Sequence, residues 1–293
     1  MASANTPGNH SVALAIAAAT VAAALAGVDA VIVRLLAGNV HPFVIGFSRS
    51  LFGLITILPW IALRPSVLKT RHLLRHASRA AIKLLSLVCG FAAFAAAPLA
   101  DVQAIMFTAP MFVMLGAWLM LGEKLTTLRI VAIVLSLVGA TIIIGPGGSV
   151  SIALLLAVAA AALQALVQLM LKQMSHDDSV ETLVVWNLIM TVPIAFVPAA
   201  FVWTTPTLGE CGLLVLQGAL GAANMSLMTK AFSLAEASHV APVDFLRLPF
   251  VAIFAWIMFG EVAGLSTWVG AVLVCVSAML PIIQAVRRKH RSG

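Results

Sequence analysis

Asp29, Arg49, Asp244 and Arg247 stand inside long apolar stretches of this sequence. Ionisable side chains in such surroundings are costly to desolvate, so they pair with each other, line water-filled space or meet a charged ligand. Asp244 and Arg247 are three residues apart, which places them on one face of a helix. Pro242 and Pro249 bracket them, and each proline removes a backbone donor, which predicts a kink and freed carbonyls. A guanidinium fork matches a carboxylate, and an aspartate matches an ammonium, so this pair suits a zwitterion such as an amino acid. It equally suits mutual neutralisation by a buried ion pair. Asp29 and Arg49 lie on two successive apolar runs, each roughly 10–12 Å from the same end by the helical rise. A structural ion pair and a gating or substrate pair both fit that placement.

Uncharged polar residues extend the list. Gln164 and Gln168 are four apart and share a helix face, while Ser86, Asn187 and Asn224 stand in three other apolar runs. Each suits a cavity wall or an interhelical hydrogen bond. Phe91, Phe94, Trp186 and Met225 would fit the apolar part of a solute or pack as plain core. The expected binding residues are therefore Gln164, Asn224, Asp244, Arg247, Asn187, Gln168, Ser86, Phe94 and Trp186, with Asp29 and Arg49 as a gating or structural pair. Gly218 and Gly221 predict close helix approach. Glu123 and Glu261 each follow a glycine at a helix end and read as boundary residues rather than proton carriers.

Other chemistry is missing from the pattern. No P-loop is present, so no ATP-driven step is encoded. His41, His72, His76, His176, His239 and His290 are scattered without ligand spacing, and no nucleophile–base arrangement is visible. An enzyme, a cofactor and a metal site are not expected. Cys89, Cys211 and Cys275 form no CxxC pair and imply no disulfide framework.

These residues must be positioned by membrane-spanning helices. The 293 residues are 62% hydrophobic and 9% charged, with a mean hydropathy of +1.11. A soluble domain is roughly a quarter charged, so lipid must solvate much of the surface. Only helices or a closed barrel satisfy the backbone there, and runs of about 20 residues favour helices. Ten runs fall near 11–37, 42–62, 79–98, 100–121, 126–145, 149–173, 179–203, 209–233, 238–260 and 264–286. Met1 to His10 holds no Lys or Arg, and the first run reads as a retained helix rather than a cleaved signal. With a cytoplasmic N-terminus, the cytoplasmic segments hold the basic residues from Arg64 to Lys83, then Lys124, Arg129, Lys172, Lys230 and those from Arg287 to Arg291. The opposite side holds only Arg34. That bias puts both termini in the cytoplasm. It also explains the net charge of +7 as topology anchoring at anionic headgroups, not as nucleic-acid binding. Arg71, His72, Arg75 and His76 suit either a solvated basic loop or a short interfacial helix.

A shift of 138 residues aligns the two halves. Ala22 to Leu25 meets Ala160 to Leu163, Arg34 meets Lys172, Ala117–Trp118 meets Ala255–Trp256, and Gly122–Glu123 meets Gly260–Glu261. Five crossings per shift make the second half inverted, as in transporters whose solute site lies at the midplane between the halves. The expected units are 1–145 and 146–293.

Two segments carry a family resemblance. One runs from Ala97–Pro98–Leu99 through Pro110 to Leu121–Gly122–Glu123, the other from Ala231 through Pro249 to Phe259–Gly260–Glu261. With His41–Pro42 and Arg49, the chain resembles the drug/metabolite transporter superfamily in its EamA-type branch. The resemblance implies an inner-membrane secondary transporter or facilitator working by alternating access on a small solute, as a monomer or weak dimer. It points to export of amino acids, aromatic or other neutral ones. The stretch Asp244 to Phe250 also resembles importers of vitamins and S-adenosylmethionine, and uptake of such a metabolite is the alternative.

Overall fold

Local turn chemistry sets the helix ends in the computed structural model of the chain, which describes residues 9–145, 151–175, 177–235 and 237–291. His41 caps α2 (Pro42–Leu63) through its ring and Pro42 fills the first turn; a proline loses nothing at that position, where the N–H would be unpaired anyway. Thr126 and Ser179 accept backbone N–H bonds at the starts of α6 (Thr127–Ile144) and α8 (Val180–Phe201). Thr207 and Glu210 form a capping box on α9 (Leu208–Leu234). Gly122 and Gly260 close α5 (Ala109–Leu121) and α11 (Arg247–Phe259) with φ of 65° and 67°, a backbone conformation that glycine adopts at no steric cost. The remaining helices are α1 (Asn9–Leu36), α3 (Leu73–Ala96), α4 (Leu99–Met106), α7 (Ile152–Met174), α10 (Ala237–Asp244) and α12 (Leu265–Arg291), with a 3-10 turn at Pro65–Leu68.

The fold is all-α, and no strand occurs among the described residues. Nine stretches among them are long and apolar enough to cross a bilayer, and the apolar Leu265–Pro281 of α12 supplies the tenth run. Two of the ten are interrupted: α4 and α5 share the fourth, α10 and α11 the ninth. The third begins at Leu73, earlier than the charge pattern suggests, because Arg75, Arg79 and Lys83 are helical residues rather than members of a basic loop.

The helices α7 to α12 repeat α1 to α6 in order, and an odd number of crossings inverts the second set. Each repeat leans on the other. α1 packs against α9 and α11, and its counterpart α7 packs against α3 and α5. The longest interface joins α6 to α12. A methyl group at Gly139 would lie 2.7 Å from the Gly270 carbonyl oxygen, and one at Gly270 2.5 Å from that of Gly139. Glycine is required here so that two backbones can touch. Gly218 performs a similar task under Phe52 of α2. Outward-facing Ile55, Leu58, Val134, Leu137, Ile253, Ile257, Val272 and Val276 remain exposed, as a lipid-facing surface requires.

Candidate substrate cavity

The two helix breaks occur at matching places. α4 stops at Met106 and α5 resumes at Ala109; α10 stops at Asp244 and α11 resumes at Arg247. Pro110 and Pro249 lack the N–H that the carbonyls of Met106 and Phe245 would need. Short i to i+3 bonds carry the chain across, from the N–H of Thr108 to Ile105 and from that of Leu246 to Val243. The sequence predicts the second disruption from its prolines; the first was not foreseen, and the 138-residue offset is the signal that would have found it. Phe107 and Phe245, themselves 138 apart, meet edge to face at 5.0 Å between ring centres.

Around this crossing lies a cavity of about 750 Å³, within the usual range for small-molecule sites. Phe91, Phe94, Phe107, Phe232 and Phe245 line it, and so do Asp29, Arg49, Lys83, Asp244 and Arg247. Arg49 donates to both oxygens of Asp29, at 2.5 and 2.7 Å, and its guanidinium lies 6.0 Å from the Phe91 ring centre. Arg247 donates to Asp244 at 2.8 Å. Lys83 donates to the side-chain oxygen of Gln164 at 2.7 Å.

Polar symmetry and charge asymmetry coexist in this wall. Ser86 donates to the Ala160 carbonyl at 2.9 Å, and its counterpart Asn224 donates to that of Ala22 at 2.6 Å. These two bonds are images of one another under the repeat. The five charged residues have no charged images: the matching positions are Val167, Asn187, Gly221, Met106 and Ala109. An asymmetric wall is what one asymmetric solute needs.

The two ends of the cavity differ. At the end formed by the C-termini of α1 and α11, Arg34 donates to Glu261 at 2.9 Å and to the carbonyls of Phe94 and Ala97 at 2.8 and 2.9 Å. Glu261 also accepts the Leu99 N–H at 2.9 Å. One carboxylate thus ties the second repeat to α1 and α4 of the first, and through Arg34 to α3. At the opposite end, Lys172 donates to Glu123 at 2.6 Å. Glu123 takes its second bond from Arg129 of its own repeat, and among the described residues Lys172 makes no bond to Phe232 or Ala235, the images of Phe94 and Ala97. Consistently, Phe94 is 7% exposed and Phe232 47%. α4 packs on α11, whereas among the described residues α10 has no comparable packing on α5. The cavity is sealed at the Glu261 end and reaches Met228, Phe232 and Pro281 toward the other. Two hydrogen bonds, from Lys172 first and Arg129 second, hold the Glu123 carboxyl below the usual carboxylate range.

Of the residues singled out in the sequence, Asp29, Arg49, Ser86, Phe94, Gln164, Gln168, Asn224, Asp244 and Arg247 line one cavity. Trp186 and Asn187 do not, which corrects their assignment. They belong to α8, which packs outside α2 and α3. Trp186 donates to the Leu68 carbonyl at 3.2 Å and stacks obliquely near His76, while Asn187 accepts from Thr191 through its own backbone oxygen. Lys83 is the second correction: it is a cavity residue, not a cytoplasmic anchor. Arg79 is likewise buried and donates to the Leu183 carbonyl at 3.0 Å. Gln103 and Phe107 of α4 and its break also line the wall and carry no sequence signal of their own.

Residues 13–145 and 151–283 each match the EamA-like transporter family, at the 138-residue offset. The chain belongs to the EamA-like transporter family. It is a multi-pass protein of the bacterial inner membrane and a transporter, not an enzyme. It is 32% identical over 243 residues to a riboflavin transporter of Rhizobium johnstonii, covering 82% of this chain and 80% of that one. It is 29% identical over 257 residues to an S-adenosylmethionine uptake transporter of Rickettsia bellii, covering 87% and 88%. A crystal structure of a protein 15% identical superposes with a TM-score of 0.62 over 92% of this chain and 98% of the other, a likeness of fold alone. These relatives overturn the expectation of amino-acid export. In the site, Asp244 and Arg247, the groups that suit a zwitterion, are engaged with each other through one bond of 2.8 Å.

Proposed function

We propose that this EamA-like transporter imports a vitamin-like or nucleoside-like metabolite of the riboflavin or S-adenosylmethionine type, as a secondary transporter or facilitator. The observation that carries this reading is the cavity at the crossing of two broken helices, where five phenylalanines meet a few fixed polar groups. Phenylalanine faces suit a planar heterocycle, and Gln103, Gln164, Gln168 and Asn224 suit its ring and side-chain heteroatoms. The relatives' names supply the direction and the solute class. Transport would proceed by exposing this cavity to each face in turn. With the termini in the cytoplasm, as the lysine and arginine distribution argues, the Arg34–Glu261 seal is periplasmic and the mouth at Phe232 is cytoplasmic. The cavity is complete within a single chain, which favours the monomer as the working unit.

Counterflow in proteoliposomes with labelled riboflavin, S-adenosylmethionine and a panel of amino acids tests the proposal. Riboflavin or S-adenosylmethionine is expected to exchange while amino acids do not. Exchange of an amino acid with neither metabolite moving would reject it.

A further inference from the structure

We infer that Lys83 is a specificity-determining residue that selects uncharged or anionic solutes with carbonyl acceptors and turns cations away. The inference rests on the uptake reading above and narrows it. Among the described residues lining the cavity there are three cations and two carboxylates. Arg49 is held by Asp29 and Arg247 by Asp244. Among the described residues Lys83 bonds only to the neutral Gln164, so the wall carries one positive charge that no described carboxylate balances. An ammonium offers three donors, and Gln164 takes one. Two remain for a solute.

The surroundings sharpen this role. Lys83 lies on α3, the same helix as Ser86, Phe91 and Phe94. A planar ring lying against the phenylalanines would place its edge within reach of the α3 side chains. In a cavity walled by apolar helices, screening by water is weak, so a donor of this kind strengthens its bond to a carbonyl or an anion and repels a second cation. The image of Lys83 under the repeat is Gly221, which lies against the Arg49 guanidinium. The charge is therefore a feature of one repeat only and fixes which way round a solute sits.

The two named solute types differ in this respect. The riboflavin ring is uncharged and bears two ring carbonyls. S-adenosylmethionine bears a sulfonium in addition to its zwitterionic amino-acid group. Its thioether counterpart, S-adenosylhomocysteine, keeps the skeleton without that charge.

Binding to the purified full-length protein in detergent, read by quenching of riboflavin fluorescence and by competition with the two adenosyl compounds, tests the inference. The wild type is expected to bind riboflavin, and S-adenosylhomocysteine to compete better than S-adenosylmethionine. Lys83→Gln is expected to weaken riboflavin binding about ten- to a hundredfold, the range for a lost charge-assisted hydrogen bond, and to erase the preference between the adenosyl compounds. Lys83→Arg should restore both, which a purely structural role would not require. Wild-type riboflavin affinity in a folded Lys83→Gln protein overturns the inference and leaves the uptake reading standing. So does a wild type that binds S-adenosylmethionine as well as its uncharged counterpart, a readout that needs no variant to fold. If none of the three compounds binds or is transported by the wild type, the uptake reading falls, and the inference with it.

Discussion

At the scale of single residues, the Asp29–Arg49 pair separates two roles that its geometry alone allows. Removing one partner strands a charge in a poorly solvated site and costs about 3–5 kcal/mol. Asp29→Asn alone should therefore lower the melting temperature of the purified protein. Asp29→Asn combined with Arg49→Met should recover much of that loss. If the pair also contacts solute or gates the cavity, the double variant stays defective in riboflavin counterflow despite its recovered stability. Full recovery of both would make it a packing device. Such charges are legible in the sequence because lipid makes them conspicuous. Lys83 was hidden for the opposite reason: it ends a basic stretch from Arg71, and α3 starts at Leu73, so a cavity lysine looks like one more headgroup anchor. Phe107 was hidden because a phenylalanine in an apolar run announces nothing until its partner 138 residues on is seen beside it.

Helices add constraints that no residue shows alone. The breaks at Phe107–Thr108 and Phe245–Leu246 bring the two phenylalanines together, and they arise where Pro110 and Pro249 cannot donate the helical N–H to Met106 and Phe245; the Phe245 carbonyl takes the Leu248 N–H at 3.2 Å instead. Pro110→Ala restores a donor to α5 and should straighten the fourth crossing. The expected result is solute affinity within about threefold of wild type with a transport rate reduced by about tenfold or more, since the break is the part of the wall that must rearrange. Unchanged counterflow rates would show that the break is static. Gly139 makes a different prediction. Gly139→Val drives a side chain into the Gly270 carbonyl, and overpacking of this kind costs typically about 1–3 kcal/mol. A clear drop in melting temperature should follow, with binding in the surviving folded fraction intact. Ten apolar runs, their order and the glycines that close α5 and α11 were readable from composition and punctuation; the caps Thr126, Ser179 and Thr207 were not singled out. The interruption of the fourth was not read, although Pro110 stands in the middle of the run 100–121, where a proline breaks or kinks a helix.

For the whole molecule, the repeat offset of 138 residues organises both what is symmetric and what is not. The clamps at the two ends are images: Arg34 with Glu261, Lys172 with Glu123. Only the first is fully made. In the opposite state of the cycle, Lys172 is expected to take the carbonyls of Phe232 and Ala235 while Arg34 releases those of Phe94 and Ala97. Glu261→Gln should thus favour opening at its own end, seen as faster labelling of a cysteine placed at Phe94. Glu123→Gln should instead slow closure of the mouth. A labelling rate at Phe94 unchanged by Glu261→Gln would count against the exchange. The lowered Glu123 pKa has a defined pH consequence. Its stabilising contribution is complete above the ordinary glutamate value of about 4.5 and is lost as pH falls through the lower folded value. Transport dependent on this clamp should therefore be insensitive to pH between about 5 and 8, and a Glu123-dependent change within that range would contradict the assignment.

The contact between Gly139 and Gly270 bears on the safety of the membrane. Backbones that touch without intervening side chains leave no cushion to compress, so in the proposed cycle this joint would serve as a pivot. A swivel that unseats the clamp at one face would bring the other face together. In the proposed alternating cycle the solute path would then never be continuous, and ions would not leak through it to dissipate the gradients on which the cell's energy supply depends.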